Sequence, residues 1–222
     1  MSNPESFIDE VSEEVRRDRL FAMMKRYGWI AVLLVVLLVG GAAWTEYNRA
    51  KATAAAQEAG DGILAALEFD DSTQRSEALA ALPASAITAL IASSELQLAG
   101  DLEAAAAALD GLVADMTVAQ VYRDIAAFKA ILLRHDGTSP EDRKIALAPL
   151  TAPGSELRLL AMEQTALADI ELGDIDAALA GLTAILEDAA VTRGLRDRAS
   201  SLIVALGGEV PAVVSGNVLA NE

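Results

Sequence analysis

The chain of 222 residues has no cysteine and a single histidine. Without cysteine it can build neither a disulfide framework nor a thiolate centre, and it cannot carry the lipid of a bacterial lipoprotein. One histidine without thiolates also argues against zinc, which takes several such ligands. His135 closes a predicted helix, where the ring can bond terminal carbonyls and complement the helix dipole. No metal and no cofactor are therefore expected.

Catalytic signatures are missing as well. The sequence contains no HExxH, no GxxxxGKS or GxxxxGKT and no GxSxG, which are the motifs of metalloproteases, phosphate loops and nucleophile elbows. Adjacent acidic residues stand at predicted helix ends or turns, where capping explains them better than general acid–base catalysis. These pairs are Asp70/Asp71, Glu141/Asp142 and Glu187/Asp188. A non-enzymatic protein is expected, and a pocket with several convergent titratable groups would favour an enzyme instead.

Basic residues are scarce, with 17 against 33 acidic residues and a net charge of −16. Beyond residue 45 the chain holds 12 basic and 27 acidic residues, a balance that nucleic acid and anionic lipid headgroups repel. No nucleic-acid partner is therefore expected, whereas proteins with basic patches are suitable partners. The basic cluster "RGLRDR", from Arg193 to Arg198, is interpreted as the solvated face of the last helix, with a docking patch as the alternative.

Aromatic residues are also few, and five of the nine lie between residues 21 and 47. They flank a run of 17 uncharged residues from Gly28 to Trp44. As a helix this run is about 26 Å long, close to the thickness of the hydrocarbon core of a bilayer. Tyrosine and tryptophan rings favour the bilayer–water boundaries. The run predicts a transmembrane helix over 28–45 with interface anchors at Tyr27, Trp29, Trp44 and Tyr47.

Two other interpretations of the run remain open, a cleaved signal peptide and a buried core helix. A secretory n-region is short and basic, but six acidic residues precede this run. Five basic residues also precede it, and only Arg49 and Lys51 follow within 20 residues, which predicts a cytoplasmic N-terminus. The expected location is the bacterial inner membrane, crossed once, with a periplasmic C-terminal domain.

Beyond the run, alanine dominates and the alternating Val/Ile/Thr pattern of strands is nearly absent, so the predicted fold class is all-α. Helix boundaries are predicted at "DDSTQ", "LPAS", "TSPED" and "APGSE", at Thr117 as N-cap of a "TVAQ" capping box, and at Thr192. The predicted organisation is a charged cytoplasmic head over 1–27, the membrane helix over 28–45, a linker helix and N-terminal helical cap over 46–83, a solenoid over 84–207 and a flexible tail over 208–222.

Two stretches, "LAGDLEAAAAALDGLVAD" and "ELGDIDAALAGLTAILED", repeat each other at an offset of 73 residues. In each, a glycine can end one helix in a left-handed conformation, an aspartate can cap the next, a bulky residue plugs the hairpin and an alanine lets the helices approach. These repeat-motif residues are Gly100, Asp101, Ala105, Gly173, Asp174 and Ala178. The pattern predicts a tetratricopeptide-like solenoid of about three helical hairpins with a capping helix. A generic alanine-rich helical bundle is the alternative.

The layout resembles the bacterial YfgM-like family, whose members have a short charged head, one anchor with tryptophan near its far end, and a tetratricopeptide-like periplasmic domain. "ALIASSELQLAGDLEAAAAALDGL" is similar to that family's first full hairpin, and "AVTRGLRDRASSLIVALGG" to its closing helix. The resemblance extends from about Arg16 to Gly208 and rests on organisation and short motifs. Members of the family are ancillary to the Sec translocon and link it to periplasmic chaperones, and the resemblance implies that role here.

The expected function is that of a non-enzymatic, membrane-anchored interaction scaffold whose solenoid presents a concave, acidic groove to protein partners. Sec translocon subunits and periplasmic chaperones are the partners that the resemblance implies. The alternative is a structural subunit or assembly factor of another membrane protein complex. Helix faces rich in alanine and leucine leave homo-oligomerisation open.

Overall fold

The computed structural model describes the backbone from residue 4 to 211, and the side chains at residues 21, 24–30 and 32–211. Most side chains of the predicted head and residues 212–222 of the predicted tail lie outside the described residues. Helix makes up 79% of the chain and the described part contains no strand, so the all-α prediction is confirmed. The helices are α1 (Pro4–Leu67), α2 (Ser72–Ala80), α3 (Ala86–Leu98), α4 (Leu102–Ala114), α5 (Gln120–Leu133), α6 (Pro140–Leu147), α7 (Arg158–Glu171), α8 (Ile175–Glu187) and α9 (Arg193–Ala205).

Helix α1 contains the apolar run. Its segment Met24–Leu67 is long and apolar enough to cross a membrane, which confirms one such helix near the N-terminus. Every side chain from 32 to 50 is exposed, so the run is not a core helix of this chain. The four predicted anchors Tyr27, Trp29, Trp44 and Tyr47 are each more than half exposed. Tyr27 and Tyr47 are separated by about 30 Å along an α-helix, which matches the hydrocarbon thickness.

The chain divides into two compact units, one ending at Gly60 and the other beginning at Asp61. The second unit contains the end of α1 and helices α2 to α9, which pack in sequence. Its first buried cluster joins Ala66, Leu79 and Ala92, from α1, α2 and α3. A salt bridge of 2.6 Å between Arg75 of α2 and Glu95 of α3 reinforces this contact.

Most helix starts follow from local chemistry and were correctly predicted. Asp71 accepts hydrogen bonds from the amides of Thr73 and Gln74, which opens α2. Ser139 accepts from the amide of Asp142, with Pro140 at the first position of α6. Such caps satisfy amides that have no partner inside the helix. The N-caps formed by side chains at predicted boundaries are Asp71, Ser85, Ser139 and Thr192.

The predicted capping box at Thr117 is wrong. Helix α5 begins at Gln120, and its N-cap, Ala119, offers no side-chain hydrogen bond. Instead the amide and the hydroxyl of Thr117 both donate to Asp115 Oδ1, at 2.9 and 2.7 Å. Because the carboxylate two residues upstream accepts both of these hydrogen bonds, Thr117 forms a local turn and does not cap α5. The start predicted at "APGSE" is displaced too, since α7 begins at Arg158 without a side-chain cap.

The 73-residue repeat is visible in the helix boundaries. Adding 73 to the bounds of α4 gives the bounds of α8, and the same shift carries α3 onto α7 and α5 onto α9 to within one residue. Gly100 and Gly173 have φ of +86° and +77°, so both occupy the left-handed conformation. Asp101 and Asp174 each accept a hydrogen bond from the amide three residues later, at 3.0 and 3.1 Å. Gly100 and Gly173 thus follow α3 and α7 in the left-handed conformation, and Asp101 and Asp174 cap α4 and α8.

The alanines of the repeat are buried, whereas one of the two residues expected to plug a hairpin is exposed. Ala105 and Ala178 are fully buried, where a small side chain lets neighbouring helices approach. Leu102, the bulky residue after Asp101, is exposed, so the expectation that it plugs its hairpin is wrong. Leu102 shares the helical face of Ala105 and Leu109, three and seven residues later, but it lies in the first turn of α4, at the exposed start of the packed stripe. That stripe consists of Leu109 and Leu112 in α4 and of Leu182 and Ile185 in α8.

Two glycines should respond in opposite ways to replacement by alanine. We expect Gly173→Ala to destabilise the protein by about 1 kcal/mol, because the Cβ of an alanine makes the left-handed conformation unfavourable. Gly111 lies inside α4 with open space around its Cβ position. Gly111→Ala should therefore stabilise the protein by about 0.5–1 kcal/mol. Urea denaturation followed by pulse proteolysis measures both, and changes of the same sign would contradict the assignment.

The residues that follow α9 differ from the prediction of a flexible tail over 208–222. A Cβ added to Gly208 would lie 2.7 Å from a methyl of Leu179, and Val210 packs on the α8–α9 core. The predicted tail therefore begins with packed residues.

His135 contacts carboxylates instead of helix carbonyls, since its Nδ1 lies 3.1 Å from Asp136 and its Nε2 lies 3.4 Å from Glu171.

Candidate protein-binding groove

Helix α7 supplies the floor of a groove in the second unit. Leu160, Glu163, Gln164 and Leu167 are spaced as i, i+3, i+4 and i+7, so they form one face of this helix. The two leucines give this face an apolar surface that is partly exposed. The two flanks of this face carry Ala161, Ala166 and Ala168, which are buried against neighbouring helices. Small side chains beside the groove face thus let the neighbouring helices approach α7 closely.

Helices α5 and α9 form the two walls. Phe128 of α5 lines one wall, where it also packs on the cluster formed by Leu147, Leu150 and Ala161. Residues of α9 spaced at one and four positions line the other: Asp197, Arg198, Ser201 and Leu202. This open site has a volume of about 740 Å³, and we call it the α5–α7–α9 groove. Three helices that alternate with α6 and α8 along the chain therefore share one surface.

A buried carboxylate lies in the groove and is held by an exposed cation. Arg198 donates two hydrogen bonds to Glu163, each of 2.7 Å. The Glu163 side chain is only 7% exposed, whereas that of Arg198 is 54% exposed. The hydrogen bonds to Glu163 raise the pKa of Arg198 above its ordinary value. The pair joins α7 to α9 across the groove, so Arg198 is not simply part of the solvated face that its sequence suggested.

A second polar link joins α5 to α3. Lys129 donates a hydrogen bond of 2.6 Å to the hydroxyl of Ser94. Burial lowers the pKa of Lys129 below its ordinary value, because the charged amine loses part of its hydration. Together with the pair between Arg198 and Glu163, this bond connects helices that are separated by one helix in the chain. The two polar links therefore tie α3 to α5 and α7 to α9.

Most basic residues of the second unit form ion pairs with carboxylates of the same unit. Six of its ten basic residues form salt bridges with carboxylates: Arg75, Arg134, Arg143, Lys144, Arg158 and Arg198. The unit has 25 acidic residues, and among the described ones most carboxylates form no salt bridge with a described basic residue. Within the groove, Asp197 forms no ion pair with any described residue, while Glu163 is neutralised by Arg198. The groove is therefore apolar with one uncompensated negative charge, set in a strongly acidic unit.

None of the site residues predicted from the sequence lines this groove. Gly100, Asp101 and Ala105 lie at the turn into α4, and Gly173, Asp174 and Ala178 at the turn into α8. The sequence reasoning missed Glu163 and Phe128 because neither belongs to the repeated motif. The spacing of Leu160, Glu163, Gln164 and Leu167 was the available signal, since an apolar helix face interrupted by one acid marks a possible binding surface.

The described residues contain no group of three or more His, Cys, Asp or Glu side chains placed to hold a metal ion. Comparison of the chain with protein-family models, with curated proteins and with solved structures finds no match.

Proposed function

We propose that this protein is a non-enzymatic, single-pass membrane scaffold that binds protein partners through the α5–α7–α9 groove. The groove carries the proposal, because it exposes a phenylalanine and several leucines beside one uncompensated carboxylate. Its occupant would be a peptide segment, helical or extended, that buries apolar side chains on α7 and places a basic residue near Asp197. The acidic surplus of the second unit adds attraction for a basic partner at longer range.

The architecture of this scaffold is proposed to be a tetratricopeptide-like solenoid. The matching bounds of α3–α5 and α7–α9 and the repeated Gly-Asp turn support a repeat origin. In such solenoids each unit contacts only its neighbours, and curvature forms an extended binding surface from alternate helices. Helices α3, α5 and α7 would then be the inner helices of three consecutive hairpins, and α9 would be the capping helix. The short α6, which spans Pro140–Leu147, would be the outer helix of the middle one.

The cellular role is proposed from the resemblance to the YfgM-like family. On that basis the protein is ancillary to the Sec translocon in the bacterial inner membrane and brings periplasmic chaperones close to it. The apolar helix α1 would be the anchor, and the excess of basic residues before it would keep the N-terminus cytoplasmic. Tethering raises the effective concentration of the groove near a membrane complex, so a modest affinity is sufficient.

Photo-crosslinking in the native membrane tests this role. A photoreactive amino acid is placed in the groove at Gln164 or Ser201, and at Ala107 of α4 or Ala180 of α8 as exposed control positions. We expect the groove positions to capture Sec channel subunits or exported-protein chaperones, identified by mass spectrometry, and the control positions to capture neither. Capture of another complex without Sec components would reject the translocon role. A fixed stoichiometry in that complex would favour a structural subunit or assembly factor.

The proposed orientation can be measured directly because the chain has no cysteine of its own. We expect Ala107→Cys in α4 to react in intact spheroplasts with a maleimide that cannot cross the membrane. Asn3→Cys should react only after the membrane is permeabilised. The reverse pattern would place the groove in the cytoplasm and contradict a periplasmic domain.

A further inference from the structure

Helix α3 carries an exposed stripe of mostly apolar residues. Ile87 and Leu98 are 56% and 72% exposed, although both have large apolar side chains. Ile91 and Ser94 lie between them and are partly exposed. The four residues are spaced as i, i+4, i+7 and i+11, so they share one face of the helix, and we call them the α3 stripe. Single exposed apolar residues are common on protein surfaces, whereas aligned ones indicate a contact surface.

The 73-residue repeat relates the α3 stripe to the floor of the α5–α7–α9 groove. The shift carries α3 onto α7, and it carries three residues of the stripe onto residues that line the groove. The corresponding pairs are Ile87 and Leu160, Ile91 and Gln164, and Ser94 and Leu167. The same shift carries α5 onto α9, which forms one wall of the groove. The stripe and α5 are therefore the repeat counterparts of the groove floor and that wall.

Helix α5 contacts both surfaces. Lys129 of α5 donates a hydrogen bond of 2.6 Å to Ser94 in the α3 stripe. Phe128, the residue before it, lines the α5–α7–α9 groove. Leu132 shares a helix face with Phe128, is 40% exposed and lines a pocket of about 360 Å³ together with Lys129. The side chains of α5 thus form a bridge between the groove and the stripe, and a segment bound in the groove can continue across them.

The two surfaces carry uncompensated charges of opposite sign. Asp197 in the groove and Lys129 beside the stripe each form no ion pair with any described residue. Lys129 meets only the neutral hydroxyl of Ser94, and burial lowers its pKa because the lost hydration is not replaced by a counter-charge. Asp136 lines the same pocket as Lys129, but its carboxylate contacts His135. A carboxylate from a partner would supply the missing counter-charge.

We infer that the segment bound in the α5–α7–α9 groove continues across α5 onto the α3 stripe, with a basic residue toward Asp197 and a carboxylate toward Lys129. Apolar residues of the segment lie between these two charges, on the groove and on the stripe. A segment bound in reverse would bring like charges together at both ends, so the charges also set its direction. The inference rests on the proposed function, because it extends the surface that binds the same partner.

Three variants of the full-length protein separate the charge and the apolar contact from folding. Lys129→Gln removes the cation and keeps a group that can bond to Ser94, and Leu98→Ser shortens the stripe. Each should lower the photo-crosslinking yield from Gln164 about fivefold. Ile145→Ser in α6 removes an apolar side chain that is 72% exposed, as that of Leu98 is, and should leave the yield unchanged. Pulse proteolysis shows that each variant is folded, and unchanged yields in both Lys129→Gln and Leu98→Ser would overturn the inference.

Photo-crosslinking from the stripe itself completes the test. With the photoreactive amino acid at Ile87, we expect capture of the same partner that Gln164 captures in the native membrane, whereas the exposed control position Ile145 should capture none. Capture from Gln164 alone, or of different proteins from the two positions, would overturn the inference and leave the groove as the binding site. Capture from Ile87 without capture from Gln164 would contradict a shared segment. Capture from neither position would reject the proposed function as well.

Discussion

Leu182→Ala is expected to lower the free energy of unfolding by about 2–5 kcal/mol, the range for leucine deletions in well-packed cores. Leu182 is completely buried in α8, where it contacts a cluster that includes Ile185, Leu195 and Ile203. Removal of its branched end loses apolar burial and leaves a cavity, since helices fixed on both sides of α8 cannot close around alanine. Urea titration with pulse proteolysis of the full-length protein in nanodiscs measures the loss.

The repeat supplies a matched partner for this experiment. Leu109 occupies the equivalent position in α4 and is also completely buried, so Leu109→Ala should cost a similar amount. Leu98 at the end of α3 is 72% exposed, and Leu98→Ala should change the stability by less than about 0.5 kcal/mol. A small effect of Leu182→Ala together with a large effect of Leu98→Ala would contradict the packing described for α8.

Arg198→Met should destabilise the protein by about 1–3 kcal/mol, because it leaves the buried carboxylate of Glu163 without its cation. A fully buried pair would lose about 3–5 kcal/mol, but water reaches Arg198 and reduces the value of the pair. Glu163 is nearly inaccessible on the floor of the groove, so no other described cation replaces the lost one. The same urea titration with pulse proteolysis measures the loss of stability. Photo-crosslinking from Gln164 shows whether the variant still binds its partner at the groove.

Two controls show whether the buried charge is responsible. The double variant Glu163→Met with Arg198→Met should be more stable than Arg198→Met alone, because it removes the uncompensated charge together with its partner. Arg196 lies on the same helix and forms no ion pair with any described residue. Arg196→Met should therefore change the free energy of unfolding by less than about 0.5 kcal/mol. A double variant less stable than Arg198→Met would show that packing, and not charge, sets the loss.

Local chemistry explains where sequence reasoning succeeded. Gly173 and Asp174 act through bonds to residues within five positions, so their roles could be predicted without knowing what surrounds them. The apolar run of α1 was also predictable, because its length and composition alone meet the requirement for crossing a membrane. The prediction of a capping box at Thr117 was wrong for a local reason, because Asp115 accepts hydrogen bonds from the hydroxyl and the amide of Thr117.

The groove and the burial of Arg143 could not be predicted in the same way. Glu163 and Arg198 are 35 residues apart, and each is typical of a solvated helix face when read alone. Arg143 belongs to a capped, charged helix start, which suggested exposure, yet the packing of α6 against α7 buries it. Such outcomes depend on which helix faces meet, and that choice is made by the combined burial of many apolar side chains.

The sequence by itself determined that the chain is helical, where most helices begin, that one helix is apolar enough to cross a membrane, and that the second unit is strongly acidic. These properties follow from composition, periodicity and bonds between near neighbours. Only the tertiary structure decided that Phe128, Glu163 and Arg198 share one groove, and that Arg143 is buried. The physical reason is that burial and charge pairing between distant helices exist only after those helices have packed.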